Sequence, residues 1–167
     1  LRALGWTPGT TEEDMQLSIA SGDLNRAATF GPAAIAPLAK LLKEGSYQQR
    51  VMAANVLGSM SSLKVLKPLL SALKDADSLV RTAAAEALAL QQSNEASNGL
   101  IAALKDRERN VRAAAATALG RLGDEHAAEA LIAALDDEDW QVRCSAWEAL
   151  GRLGSRRSLA SVIGRLG

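Results

Sequence analysis

Aromatic, sulfur and imidazole chemistry are nearly absent from this chain. Only 3% of its 167 residues are aromatic, and it has one cysteine, Cys144, and one histidine, His126. A single cysteine excludes an internal disulfide. A single histidine leaves one base for any Ser–His or Cys–His pair, and a zinc site lacks its four ligands. No apolar run approaches the roughly 18–20 residues that a membrane-spanning helix needs, so no membrane association is expected. Charge of one sign is missing too. Nineteen basic residues balance 19 acidic ones, and no long-range field draws the chain to nucleic acid or anionic lipid. No signal peptide is visible and the first residue is Leu1. The expectation is a piece of a longer protein, cytoplasmic by default.

Hydrophobic residues make up 48% of the chain. With so few aromatics, the core must be built from Ala and Leu. Both are strong helix formers and Ala is a poor strand former, which favours closely packed helices.

The dominant pattern is a step of 31 residues. It relates Arg50, Arg81, Arg112 and Arg143, and the acids Glu44, Asp75, Asp106 and Asp137. The same step relates Leu42, Leu73, Leu104 and Leu135, and Leu57, Leu88, Leu119 and Leu150. Several columns in one register indicate a repeat array, which works through extended surfaces more often than through a buried cleft.

Within residues 100–130, Leu100, Ile101 and Leu104 give one apolar helix face, and Lys105 to Glu108 interrupt it. Val111, Ala115, Ala118, Leu119 and Leu122 then recur with the period of a second amphipathic helix, closed by Gly123. Each repeat therefore reads as a helix A, a turn and a helix B. The B helices are expected over 47–60, 78–91, 109–122 and 140–153, and the A helices over 33–43, 63–74, 95–105 and 126–136. A fifth A helix without a partner is expected over 156–166, with Leu159, Val162, Ile163 and Leu166 on its apolar face. The fold class is all-α, a right-handed α-solenoid of antiparallel helix pairs. Pro37 and Pro68 fall inside A helices and are expected to kink them. Ala53, Ala84, Ala115 and Ala146, with Gly58, Gly120 and Gly151, are small where neighbouring helices approach closely.

The acid column falls in the A–B turn, where it accepts hydrogen bonds from free amides and suits the positive end of helix B. The arginine follows six residues later. Glu44, Arg50, Asp75, Arg81, Asp106, Arg112, Asp137 and Arg143 are read as a structural ladder of Arg–carboxylate contacts between repeats. Binding of phosphate or of an acidic partner is the other use of such a row.

The strings VRAAAATALG (111–120), VRCSAWEALG (142–151) and the degenerate VRTAAAEALA (80–89) resemble the HEAT repeat family. The nearest type is the short bacterial and archaeal one, the phycobilisome-lyase HEAT-like repeats. The resemblance covers about residues 33–167 and implies B helices lining a concave side. Residues 1–32 do not fit the register. Thr10 or Thr11 can cap a helix running to about Ala20, and a shorter helix follows over 24–29, ended by Gly31. This stretch is similar to the leader of some HEAT-like arrays, with Leu4-Gly5-Trp6 and Pro8 as its signature. The domains are thus a capping segment, 1–32, and an array of four repeats plus one A helix, 33–167.

Glu125-His126 is similar to the His-Glu pairs of HEAT-repeat di-iron hydroxylases, but one pair cannot supply the ligands of two metals. No catalytic residues, cofactor or metal site are therefore assigned, and the chain is read as not an enzyme. HEAT-like DNA glycosylases grip DNA with a basic concave face. Here the arginines come with acids, and no nucleic-acid partner is expected. Tyr47 and Trp140 start equivalent B helices. Each ring either covers the edge of the neighbouring repeat or is offered to a partner. Trp147 replaces Ala54, Ala85 and Ala116 of its column and is expected to pack, widening the last gap between repeats.

The main expectation is a scaffold or adaptor that binds another protein on the concave B-helix face. The candidate surface is Tyr47, Asn55, Glu86, Thr117, Arg121, Trp140, Glu148 and Arg152. Two alternatives remain: an accessory subunit of a bilin lyase or isomerase system, and structural assembly by end-to-end stacking. The oligomeric state is left open.

Overall fold

Leucine and alanine at helical spacing dictate short amphipathic helices that cannot bury their apolar faces alone and must stack. The computed structural model describes residues 10–154. Trp6 with the rest of the leader signature, and the expected helix over 156–166, lie outside the described residues. Two helices come first, α1 (Thr11–Ala20) and α2 (Leu24–Ala28). Four pairs follow: α3 (Ile35–Glu44) with α4 (Tyr47–Ser59), α5 (Leu66–Ala72) with α6 (Ser78–Leu88), α7 (Asn94–Ala103) with α8 (Arg109–Leu122), and α9 (Ala128–Ala134) with α10 (Trp140–Leu153). The B helices α4, α6, α8 and α10 pack side by side in chain order, and each also packs on its own A helix. This is an all-α solenoid of stacked helix pairs. Between α1 and α2 runs an ion pair from Arg26 to Asp14, and α1 and α2 pack on α3 and α4 respectively.

The core is one continuous cluster. Leu38, Leu57, Leu69, Leu88, Leu100, Leu119 and Leu131 are fully buried, with Val65, Val80, Val111 and Val142. Between B helices the packing is closer. A Cβ on Gly58 would lie 2.6 Å from the Cβ of Ala87, and one on Gly120 would lie 2.6 Å from the Cα of Ala149. Gln91 Nε2 donates to the carbonyl of Gly58 at 2.8 Å and joins the first repeat to the second.

The A helices differ from their expected form. Three of them open with a 3-10 turn, at Gly31–Ala34, Leu63–Val65 and Glu125–Ala127, and the α-helix proper starts later. Pro37 and Pro68 are each the third residue of the α-helix. In the first turn an amide has no acceptor within its own helix, so proline is tolerated there. They mark where the 3-10 lead-in becomes α-helix rather than kinking a helix centre. Helix starts follow side-chain chemistry. Thr10 and Ser46 form capping boxes with Glu13 and Gln49, and Asp77 and Asp139 cap α6 and α10. Gly123 and Gly154 end α8 and α10 in the left-handed conformation, which glycine adopts without penalty.

Trp147 departs from expectation. Its alanine counterparts Ala54, Ala85 and Ala116 are fully buried, whereas Trp147 is 44% exposed. Those alanines face the B helix of the following repeat, and among the described residues no B helix follows α10. Among the described residues there is no following repeat whose gap the indole could widen.

Glycine tolerance separates the two kinds of position. Gly120→Val is predicted to destabilise the fold by about 1–3 kcal/mol through overpacking. Gly151→Ala, where an added Cβ meets nothing within 4 Å, should be neutral or stabilise by up to about 1 kcal/mol. Urea midpoints of the two variants check this.

Candidate functional site

Two constellations stand out, an arginine–aspartate ladder along one edge of the array and a groove across the B helices. In the ladder, Arg50 Nε and Nη2 donate to Asp75 at 2.9 and 2.9 Å. Arg81 does the same to Asp106 at 2.8 and 2.9 Å, and Arg112 to Asp137 at 2.8 and 2.9 Å. Each arginine therefore takes the carboxylate of the following repeat. Its own turn supplies carbonyls instead: Arg81 Nη1 donates to Asp75 and Ala76, and Arg112 Nη1 to Asp106 and Arg107.

Each ladder carboxylate does a second task. Asp75 Oδ1 accepts the amide of Asp77, Asp106 Oδ1 that of Glu108, and Asp137 Oδ1 that of Asp139, all at 2.9 Å. The ladder acid thus shapes the turn, while the acid two residues on is the N-cap itself. A second contact across repeats joins Arg109 to Asp139 at 3.2 Å. The ends differ from the middle. Glu44 makes no ion pair among the described residues. Arg143 donates to the carbonyls of Asp137 and Glu138 but meets no carboxylate there.

Burial and pairing oppose each other at the ladder acids. Burial alone would raise the carboxyl of Asp106. The hydrogen bonds from Arg81 and the Glu108 amide, with the attraction of Arg81, outweigh it and hold the group below its usual range. Asp137 is held low in the same way by Arg112 and the Asp139 amide. The hydrogen bond to Asp106 raises Arg81, and that to Asp137 raises Arg112.

The groove has a volume of about 680 Å³ and crosses all four B helices. Asn55 lines it from α4; Thr82 and Glu86 from α6, with Leu90 just beyond its end; Asn110, Ala114, Thr117 and Arg121 from α8; and Gln141 and Ser145 from α10. Of the residues singled out from the sequence, Asn55, Glu86, Thr117 and Arg121 come together here. Tyr47, Glu148, Trp140 and Arg152 do not line it. Tyr47 (46% exposed) starts the first B helix and Trp140 (61% exposed) starts the last, so they form no common patch. Asn110 and Gln141 had been missed. They sit seven residues before Thr117 and Glu148 on the same helix face, and that spacing was the available signal.

The lone histidine is exposed, in the 3-10 turn before α9, with Nδ1 2.9 Å from Asp124 Oδ1. Cys144 is free and exposed on α10. Among the described residues no group of three or more His, Cys, Asp or Glu is placed to hold a metal. No helix among them is long and apolar enough to cross a membrane.

The family described as HEAT repeats matches residues 35–107 and 97–167. No curated protein matches the chain in sequence. Among solved structures, human deoxyhypusine hydroxylase in complex with glycerol is 22% identical, with a TM-score of 0.65, covering 89% of this chain and 59% of that one. The complex of CpcE and CpcF of phycocyanin lyase from a Nostoc species is 22% identical, with a TM-score of 0.66, covering 91% of this chain and 64% of that one. A designed armadillo repeat protein in complex with the peptide (KR)4 is 21% identical, with a TM-score of 0.58, covering 93% and 75%. At these identities the likeness is one of fold. The chain spans less than two thirds of the length of either of the first two.

Two predictions concern the ladder. Arg81→Met, which strands the partly buried Asp106 carboxylate, should cost about 1–3 kcal/mol, read as a lower urea midpoint at neutral pH. The second is acid sensitivity. Asp106 and Asp137 have lowered values in the folded chain, so their contribution is complete above the ordinary aspartate value of about 3.9. It is lost as pH falls through the lower folded values. Stability measured from pH 7 downward should hold until about pH 4 to 5 and then fall, with a shallower fall in Arg81→Met.

Proposed function

The chain belongs to the HEAT repeat family, and from that membership we propose that it is a non-enzymatic interaction scaffold holding an extended polypeptide segment in the B-helix groove. The observation that carries this reading is the lining of the groove. Amide and hydroxyl side chains (Asn55, Thr82, Asn110, Thr117, Gln141 and Ser145) line it from four helices, with small alanines of α6 and α8 between them, and one acid and one base, Glu86 and Arg121, stand among them. Amides and hydroxyls donate and accept alike, which suits a peptide main chain. Glu86 and Arg121 then choose side chains of opposite sign. The stacked repeats supply a stiff surface without an ordering cost on the scaffold side.

In this reading residues 1–32 cap the array that 33–167 builds. Asn55, Glu86, Thr117 and Arg121 are the central contacts, and Tyr47, Glu148, Trp140 and Arg152 are outlying ones. A cytoplasmic setting fits it. Nucleic acid is disfavoured because the ladder carboxylates engage Arg50, Arg81 and Arg112, leaving Arg121 as the groove's own cation.

Peptide-display selection on the immobilised chain tests the proposal. Selected peptides should carry a basic residue that loses its value in Glu86→Ala and an acidic one that loses its value in Arg121→Ala. Each substitution should weaken binding about tenfold, equivalent to ~1.4 kcal/mol. The charge exchange Glu86→Arg with Arg121→Glu should reverse the order of the selected charges. Selection that enriches nothing, or that ignores both substitutions, removes the groove as the binding surface. A titration with a linear tetrapyrrole is the parallel control. A visible absorbance shift there would favour the bilin-handling accessory role instead.

A further inference from the structure

Lysine and arginine are placed differently in this chain. The arginines include the ladder, whereas all six lysines lie on or beside the A helices. Lys40 and Lys43 stand on α3, Lys64 in the 3-10 turn before α5, and Lys67 on α5. Lys74 and Lys105 come just beyond the ends of α5 and α7. Positions 64, 67, 71 and 74 follow at steps of three or four, which puts them on one side of a helix. Five lysines therefore share one surface of the first two repeats. Each is exposed, and none makes an ion pair among the described residues. In the fourth repeat the places of Lys67 and Lys74 are taken by Glu129 and Asp136. The net charge of zero thus conceals a local excess of positive charge.

That surface is indented. A cavity of about 400 Å³ lies between α3 and α5, with Lys43, Lys67 and Lys74 around it. Ala39, Leu42, Pro68 and Ala72 give it an apolar wall. The acid among its lining residues, Asp75, is already held by Arg50 and by the amide of Asp77. Glu44, next to Lys43, is exposed and does not line the cavity. Leu63, beside Lys64, is 78% exposed, more than any other large apolar side chain among the described residues.

These features select among anionic partners. Neither α3 nor α5 carries an aromatic ring on which a nucleic-acid base could stack. The charges are flexible ammonium groups, and no guanidinium fork of the cavity is left for one phosphate, since Arg50 is engaged. A bilayer would need a continuous apolar face, and here only Leu63 protrudes between lysines. A cavity with an apolar wall and an ammonium rim suits an apolar side chain flanked by carboxylates. We propose that the α3–α5 surface docks an acidic polypeptide segment, with an apolar side chain in the cavity and its acids on Lys43, Lys67 and Lys74. The groove residues take no part, so this surface and the scaffold reading stand or fall separately.

Fluorescence anisotropy with a labelled peptide of glutamates and interspersed leucines, titrated with the full chain, tests the proposal. Helical circular dichroism checks the folding of each variant. The peptide should bind more tightly than an all-glutamate peptide of the same length, and less tightly as ionic strength rises. Lys43→Gln, Lys67→Gln and Lys74→Gln should each weaken binding about two- to fivefold, and the three together by more than about tenfold. Lys105→Gln, one step along the same column, should leave binding unchanged, as should Glu86→Ala with Arg121→Ala in the groove. Absence of binding overturns the proposal, as does equal binding of the all-glutamate peptide. So does equal competition by phosphatidylserine vesicles or by a single-stranded oligonucleotide. A loss in Lys105→Gln or in the groove variant as large as in the cavity variants overturns it too.

Discussion

The stacking of this protein depends on a guanidinium held from two sides. Arg81 and Arg112 give one edge to the carbonyls of their own A–B turn and the other to the aspartate of the next repeat. That aspartate also holds the amide that begins the next B helix. One planar group with donors in fixed directions thereby ties two turns and sets the angle between repeats. A lysine would carry the charge but not the geometry. The alanine and glycine columns depend on this arrangement, because a Cβ on Gly58 or Gly120 has no room only when adjacent B helices are held at that distance.

The ladder also shapes what the surface can do. Arginines in a row suggest a site for phosphate, yet Arg81 and Arg112 are 5% and 7% exposed and fully engaged. Charge spent on internal geometry is not available to a polyanion. The groove is a polar surface of another kind, where amides and hydroxyls outnumber charges. The proposal of an extended polypeptide partner draws on that lining, since amides and hydroxyls both donate and accept.

Much of this was legible in the residues. The B helices follow from apolar spacing and from caps such as Ser46, Asp77 and Asp139, and their observed starts coincide with the expected ones. The A helices were less legible. Apolar periodicity does not distinguish a 3-10 lead-in from the first turn of an α-helix, so Pro37 and Pro68 read as interior breaks when they are first-turn residues. Trp147 is exposed although its column is buried in the earlier repeats, where another B helix follows. Half of the candidate surface, Asn55, Glu86, Thr117 and Arg121, converged on one groove because these residues occupy two columns of a single helix face. Tyr47 and Trp140 share a column too, but on the first and last B helices, and a shared column does not bring distant repeats together.

The sequence by itself determined the helical class, the pairing of helices and the identity of the ladder residues. These rest on local periodicity and on side chains that act on their own turn. Only the tertiary structure decided which carboxylate each arginine takes, which polar columns face a common groove, and which members of a column remain exposed. Those outcomes depend on the neighbouring repeat, and a column of residues carries no record of whether a neighbour is there.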